Sequence, residues 1–152
     1  MTTPEERVSE LGLAIPEVPK PVAAYVPAVR TGNYIYTSGQ LPMQDGQLLM
    51  TGKVGGEVSA EDGTACAQRC ALNAIAAVKS VIGDLSGVVR VVKVVAFVAS
   101  TPDFTGQPGV ANGASELFGA VFGEVGQHAR SAVGVPVLPL DAPVEVELIV
   151  EV

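Results

Sequence analysis

The C-terminal stretch alternates strictly, with Val144, Val146, Leu148, Val150 and Val152 on one side and Glu145, Glu147, Ile149 and Glu151 on the other. A period of two predicts a strand with one buried face. Residues 129–137 read as another strand, and Leu140-Asp141-Ala142-Pro143 as a turn that would pair the two. Residues 88–99 are apolar on both faces, Arg90 and Lys93 apart, which predicts a strand covered on both sides.

Between these segments the period becomes helical. Ser59 is a cap, Glu61 and Asp62 lie in the first turn, and Cys66, Cys70, Ala74, Ala77 and Val81 form a stripe that Gly83 ends. A second long helix begins at Pro108, buries Val110, Ala114, Leu117, Phe118 and Val121, and closes at Gly123 or Gly126. Upstream, residues 22–38 read as strands. Tyr34, Tyr36 and Ser38 alternate there with Ile35 and Thr37, after the turn Thr31-Gly32-Asn33. Asp45-Gly46 marks a turn between Leu41-Pro42 and a short strand over 48–50. At the N-terminus Thr3 caps a helix, Pro4 opens its first turn, Glu6 closes a capping box and Gly12 stops it. Pro16, Pro19 and Pro21 then hold the chain extended. Residues 1–21 thus form a helix and strap attached to one domain over 22–152.

The order helix, strands, helix, strand, helix, strands predicts an α+β two-layer sandwich, a mixed sheet with two long helices on one face. The sheet's other face must meet solvent or a partner, and the doubly apolar strand over 88–99 favours a partner. Composition strengthens that expectation. Of 152 residues 48% are apolar and only 16% charged, a small charged share unless copies of the chain cover part of the surface.

A net charge of −7 with scattered Lys and Arg argues against nucleic acid and against anionic membranes as partners. No apolar run is long enough to span a bilayer. The acidic start Met1-Thr2-Thr3-Pro4-Glu5-Glu6 lacks the features of a secretion signal, so the expected location is cytoplasmic. Cys66 and Cys70, one helical turn apart, read as buried thiols rather than a disulfide. With one His in the chain, the usual zinc ligand sets are out of reach.

Few residues remain for chemistry. His128 has no nucleophile elbow to serve. Thr51-Gly52-Lys53-Val54-Gly55-Gly56 lacks the ending and frame of a phosphate loop and reads as a plain loop. Arg130 stands out: it shares a strand face with the small residues Ala132 and Gly134, which would leave a hollow with a charged rim, and its planar fork fits a carboxylate. If the last two strands pair, Glu145 and Glu147 lie on the same side. A structural ion pair and a ligand anchor then both remain open. Asn112 lies nearly opposite the core stripe of its helix and faces solvent or a neighbouring subunit.

From residue 22 to residue 152 the chain resembles the RidA (YjgF-type) proteins. The resemblance rests on Tyr25-Val26-Pro27, Thr37-Ser38-Gly39-Gln40-Leu41-Pro42, Gln68, Asn73-Ala74, Val92-Lys93 and Phe97-Val98. It continues with Asp103-Phe104, Asn112, Ala129-Arg130-Ser131, Leu138-Pro139 and Val144-Glu145-Val146-Glu147. It implies a chorismate-mutase-like fold, a homotrimer and a site at each subunit interface. There Arg130 would bind the substrate carboxylate and Glu145 would position the attacking water. Ser38 and Gly39 would hold the ligand, Tyr25, Asn112 and Ala132 would border the cleft, and no metal or cofactor would take part. The implied reaction is hydrolysis of reactive 2-imino or enamine acids to 2-keto acids and ammonia. A protein that only binds small carboxylate metabolites is the alternative. RNA cleavage, attributed to some relatives, fits an acidic chain poorly. Chorismate-mutase activity is suggested only by fold analogy. Three positions depart from the family: His128 where Pro is common, Ala132 where many members carry Cys, and Gly134 where Glu is common. They make the site smaller-walled and less polar.

Overall fold

The computed structural model describes residues 1–18 and 23–152. The expectation of an extended strap through Pro19 and Pro21, with a boundary between residues 21 and 22, lies outside the described residues. Helix α1, Pro4–Glu10, starts as its sequence requires: the Thr3 hydroxyl accepts from the Glu6 N–H, and the Glu6 carboxylate accepts from the Thr3 N–H. Strands β1, Ala28–Thr31, and β2, Tyr34–Thr37, form a hairpin, so the first strand begins well after residue 22. A small hairpin follows, β3, Met43–Gln44, and β4, Gln47–Leu48, turning at Asp45-Gly46 with both residues at positive φ. Helix α2, Ala60–Ile82, runs from the Ser59 cap to Gly83. Strand β5, Arg90–Ala99, helix α3, Gln107–Phe122, strand β6, Ala129–Val135, and strand β7, Val144–Glu151, complete the chain.

The five-stranded sheet has the order β1-β2-β7-β5-β6. Here the structure corrects the sequence reading, because β6 and β7 do not pair. β5 lies between them, parallel to β6 and antiparallel to β7. The strand-helix-strand connection β5-α3-β6 explains it: a helical crossover returns the chain as a parallel neighbour. β6 then sits at the edge.

Both long helices cover one face. α2 buries Cys66, Cys70, Ala74 and Ala77, and α3 buries Val110, Ala114, Leu117, Phe118 and Val121. Val81 departs from its predicted stripe and is exposed, in the last turn of α2, where Val78 is the final fully covered residue of that stretch. The helices cross tightly. A Cβ at Gly113 of α3 would overlap the Thr64 carbonyl oxygen of α2, so only glycine permits this approach. Under the helices lie Val144, Val146, Leu148 and Val150 of β7 with Val91, Val94, Ala96 and Val98 of β5. Val91 and Val94 share a face although three residues apart, because a bulge between Val91 and Lys93 shifts the register.

The other face carries Val29, Tyr36, Val95, Phe97, Val133 and Ile149 around Glu145, Glu147 and Lys93. Within the single chain Val29 remains 52% exposed, Tyr36 45% and Val133 44%. A sheet face this apolar is the kind that a partner covers. Among the described residues no helix is long and apolar enough to cross a membrane.

α1 is fastened to the helical layer. Arg7 Nη1 donates to the Val121 carbonyl (3.2 Å), and the Glu5 carboxylate accepts from Lys79 Nζ (2.9 Å) and the Leu85 N–H (2.8 Å). Burial pushes the Glu5 carboxyl up, but the Leu85 N–H and Lys79 outweigh it and hold it below the ordinary Glu range. An acid lowered in this way stabilises the fold above its ordinary titration range, and that stability is lost as pH falls through the lowered value. Glu5→Gln is therefore expected to cost about 1 kcal/mol in urea denaturation at neutral pH. The gap from wild type should narrow as the pH is lowered.

Candidate functional site

Two groups of predicted site residues come together, on opposite faces of the sheet. The first forms where β2 gives way to an irregular crossing. The β2–β7 ladder continues through Thr37, whose Oγ1 accepts from the Leu148 N–H (3.0 Å). It resumes at Gln40, which exchanges two backbone hydrogen bonds with Val146 (2.8 and 3.0 Å). Ser38 and Gly39 lie between these two attachments, beside Glu145. The Ser38 N–H donates to the Pro27 carbonyl (2.8 Å) and its hydroxyl to the Val26 carbonyl (2.6 Å), which ties the segment Tyr25-Val26-Pro27, exposed at Tyr25 and Val26, to the same place.

Gly39 has a steric reason to be glycine. A Cβ there would overlap Oε1 of Glu145 and stand 2.8 Å from its Cδ. The carboxylate thus occupies the space a side chain would take. Burial raises the Glu145 carboxyl above the usual Glu range, and Glu147, two residues along on the same face, raises it further. A carboxyl so placed is suited to exchanging protons with water.

The second group lies on the helix-covered face at the edge strand. Arg130 is opposite Val94 in the β5–β6 register and points toward α3. Its Nη1 donates to Asn112 Oδ1 (2.8 Å) and to Ser115 Oγ (3.2 Å). Asn112 does face away from its own core, as its helical position requires, and meets Arg130 of the same chain. Ser115 in turn contacts His128 Nε2 (2.8 Å), and His128 Nδ1 contacts the Gly126 carbonyl (2.6 Å). The sequence reading missed Ser115 and set His128 aside. The available signal was the spacing of Asn112 and Ser115, three residues apart on one helix face.

Two expectations fail on this geometry. Glu145 and Glu147 lie opposite Phe97 and Val95 on the uncovered face, so they are not on the Arg130 side and make no ion pair with it. The salt bridges among the described residues are Lys53–Asp141 and Lys79–Glu5. Nor do the small neighbours of Arg130 leave a hollow. Ala132 packs partly against the core, and a Cβ at Gly134 would stand 2.8 Å from Gln107 Nε2 and 2.9 Å from Ser100 Oγ. The space over Gly134 is filled by those side chains.

Other candidates behave as plain structure. Both cysteines are free and fully buried. Burial, with Asp62 nearby, pushes the Cys66 thiol up to about 11, and burial raises Cys70 well above the usual thiol range. In the glycine-bearing loop the Lys53 N–H donates to Glu57 Oε2 (2.8 Å), so a carboxylate of the chain already holds a donor that a phosphate would need. A cavity of about 400 Å³ between α2 and α3, bordered by Thr64, Gln68 and Glu116, contains none of the predicted site residues. A smaller one of about 110 Å³ opens on the uncovered face among Tyr36, Lys93 and Glu147. Among the described residues no three His, Cys, Asp or Glu side chains converge as a metal site.

Comparison with known proteins matches this arrangement of strands and helices. Residues 5–152 match the family described as "YjgF/chorismate mutase-like, putative endoribonuclease". The chain is 46% identical over 145 residues to protein TCP17 of Trypanosoma cruzi, covering 95% of this chain and 91% of that one. It is 34% identical over 139 residues to a 2-iminobutanoate/2-iminopropanoate deaminase of Dermatophagoides farinae, covering 91% and 93%. A solved structure of a protein of unknown function from Agrobacterium tumefaciens superposes with a TM-score of 0.92 at 46% identity, covering 99% of this chain and 92% of that one. With the match spanning nearly the whole chain, and a mixed sheet carrying two long helices on one face as that fold has, this protein belongs to the YjgF/chorismate mutase-like family, the RidA type of protein.

Proposed function

We propose that this protein hydrolyses reactive 2-imino or enamine acids to 2-keto acids and ammonia, at a site completed between the subunits of a homotrimer. The observation that carries the reading is the carboxylate of Glu145, half-buried and seated in the space that Gly39 leaves free. That placement gives a proton acceptor beside backbone and hydroxyl groups able to hold a small ligand. The Ser38 hydroxyl has committed its hydrogen to Val26, so toward a ligand it can only accept. An imine or amine nitrogen offers the N–H that such an acceptor needs.

Arg130 supplies the other half. Both hydrogens of its Nη1 are engaged by Asn112 and Ser115, which leaves the edge formed by Nε–H and Nη2–H for a carboxylate. Arg130 and Glu145 lie on opposite sheet faces with β5 between their strands. A three- or four-carbon acid cannot touch both within one chain. A neighbouring copy that covers the apolar sheet face would bring its own Arg130 edge to the Glu145 cluster, which supports an interface site.

The chemistry then needs little. Water attacks C2 of the N-protonated imine as Glu145 takes one of the water protons, giving a neutral carbinolamine. Glu145 returns that proton to the nitrogen, the C–N bond breaks as ammonia leaves, and the carbinolamine's hydroxyl proton passes to the Glu145 carboxylate, leaving the keto-acid carbonyl. The carboxylate held by Arg130 fixes C2 in place. The direct test follows pyruvate or 2-oxobutanoate release from freshly generated imino acid. Purified protein should accelerate release well beyond buffer; no acceleration at micromolar protein would sink the reading.

Gly39→Ala gives a sharper check on the same site. The added methyl must displace the end of the Glu145 side chain, a flexible group, so the fold should tolerate it with little change in melting temperature. Turnover should fall about tenfold to a hundredfold, the usual result of moving a reacting group by about an ångström. Full activity in a normally folded Gly39→Ala protein would remove Glu145 from the mechanism.

A further inference from the structure

His128 makes two hydrogen bonds that the reaction above does not use. The Gly126 carbonyl can only accept, so its 2.6 Å contact requires a proton on Nδ1 of His128. In the neutral ring Nε2 is then an acceptor, and the Ser115 hydroxyl 2.8 Å away donates to it. With its hydrogen spent, Ser115 Oγ presents lone pairs, and Arg130 Nη1 donates to them at 3.2 Å. Every donor in this chain has one acceptor, and every link has one direction.

The supports of this chain are rigid. The Gly126 backbone lies so close to α3 that a Cβ would stand 2.5 Å from the Phe118 carbonyl oxygen. The imidazole ring meets the fully buried Phe118 ring edge-on, with centroids 5.9 Å apart at 88°. Ser115 lies one helical turn from Asn112, and the two together engage both hydrogens of Nη1.

We infer that His128, acting through Ser115, is a positioning residue that fixes which edge of the Arg130 guanidinium faces the substrate. Its neutral Nδ1–H tautomer makes Ser115 an acceptor, Ser115 and Asn112 pin Nη1, and the Nε/Nη2 edge stays presented to a carboxylate. Without the chain the guanidinium keeps its charge but turns among several edges, so a carboxylate meets the paired donors only part of the time. The inference rests on the reading of Arg130 as the carboxylate anchor. It adds a specificity element, since an oriented fork favours planar carboxylates over other anions.

The test reads 2-oxobutanoate binding by calorimetry and KM against kcat in the deaminase assay. Ser115→Ala and His128→Leu should each weaken binding and raise KM roughly threefold to tenfold with kcat nearly unchanged, the size of one neutral hydrogen bond. The double variant should be no worse than the weaker single, because both act on one chain. His128→Gln, whose Oε1 can accept from Ser115, should recover much of the loss, although it too lacks the ring that packs on Phe118. As the chain holds a single histidine, its imidazole 15N shifts at pH 8 should report the Nδ1–H tautomer directly. The Nε2–H tautomer, additive losses, or singles that bind as wild type while Arg130→Ala does not, would each overturn the relay and leave the anchor standing. Wild-type binding by Arg130→Ala would overturn both.

Discussion

Replacing Glu145 with glutamine is expected to lower kcat by about 10²- to 10⁴-fold, the usual worth of a positioned general base, while 2-oxobutanoate binds within about twofold of wild type. The amide keeps the size and the packing against Gly39 but cannot take a proton from water. The same change should raise the melting temperature by roughly 1–3 °C at neutral pH. The sign follows from titration. Burial, and after it Glu147, lifts the Glu145 carboxyl above its ordinary range, so folding favours its protonated form. The stability contributed is fully present below the ordinary Glu value and is lost as pH rises through the raised folded value. A neutral amide does not incur that loss. Activity runs the other way, since the carboxylate is the working form: turnover should fall as pH drops through the raised value. Glu147→Gln removes one of the raising charges and should move this acid limb to lower pH. Wild-type turnover in Glu145→Gln would end its role as base. If instead the wild type binds 2-oxobutanoate without turning over the imino acid, the protein is a carboxylate-binding module.

The fold was legible wherever a single period ran unbroken. The Val and Glu alternation of residues 144–151, the Thr3 capping box and the stripes of α2 and α3 each carry their structure in local spacing. The order of strands was less accessible. The turn before β7 suggested a hairpin with β6, yet the pairing was decided by α3, whose crossover makes β6 a parallel neighbour of β5. The residues themselves offered a hint, because Ala129–Val135 carries Arg130, Ser131 and Gly134 among few apolar residues, as an edge strand tends to. The bulge at Val91/Lys93 has no such signal. It shows only as two valines three apart on the same face.

The same slip carried into the site. Once β6 and β7 were paired in the sequence reading, Arg130 and Glu145 fell on one side, and an internal ion pair became a serious competitor. In the structure β5 separates their strands and the pleat sends them to opposite faces. Losing that pair strengthens the ligand reading. A half-buried guanidinium with no carboxylate partner among the described residues holds donors that an acid from outside can use. The Ser115–His128 link was out of reach by spacing, since thirteen residues and the end of α3 separate the two. Gly39 was legible only through the family resemblance. Its physical reason, the Glu145 oxygen in the place of a Cβ, needs coordinates.

Arg130→Ala should therefore weaken 2-oxobutanoate binding about a hundredfold and raise KM by a similar factor, with kcat reduced far less. Two charge-assisted hydrogen bonds to a carboxylate are lost together, each worth roughly 1.5–3 kcal/mol before the variant's own water compensates. Because the carboxylate does not change charge between imine and carbinolamine, the contact serves ground state and transition state nearly alike, and its loss falls on KM. The fold should barely register the change: Asn112 is exposed and Ser115 partly so, and water replaces the guanidinium as their partner. Arg130→Lys separates charge from shape. A lysine keeps the attraction but offers a point charge in place of a fork, so it should recover part of the binding and remain about tenfold weaker than wild type. Equal recovery by Lys would mean that charge alone holds the ligand, and the pinned geometry of Nη1 would then serve α3 and β6 rather than the substrate. An Arg130→Ala protein that binds and turns over as wild type does would remove the anchor altogether, because the reading assigns the substrate carboxylate to no other cation.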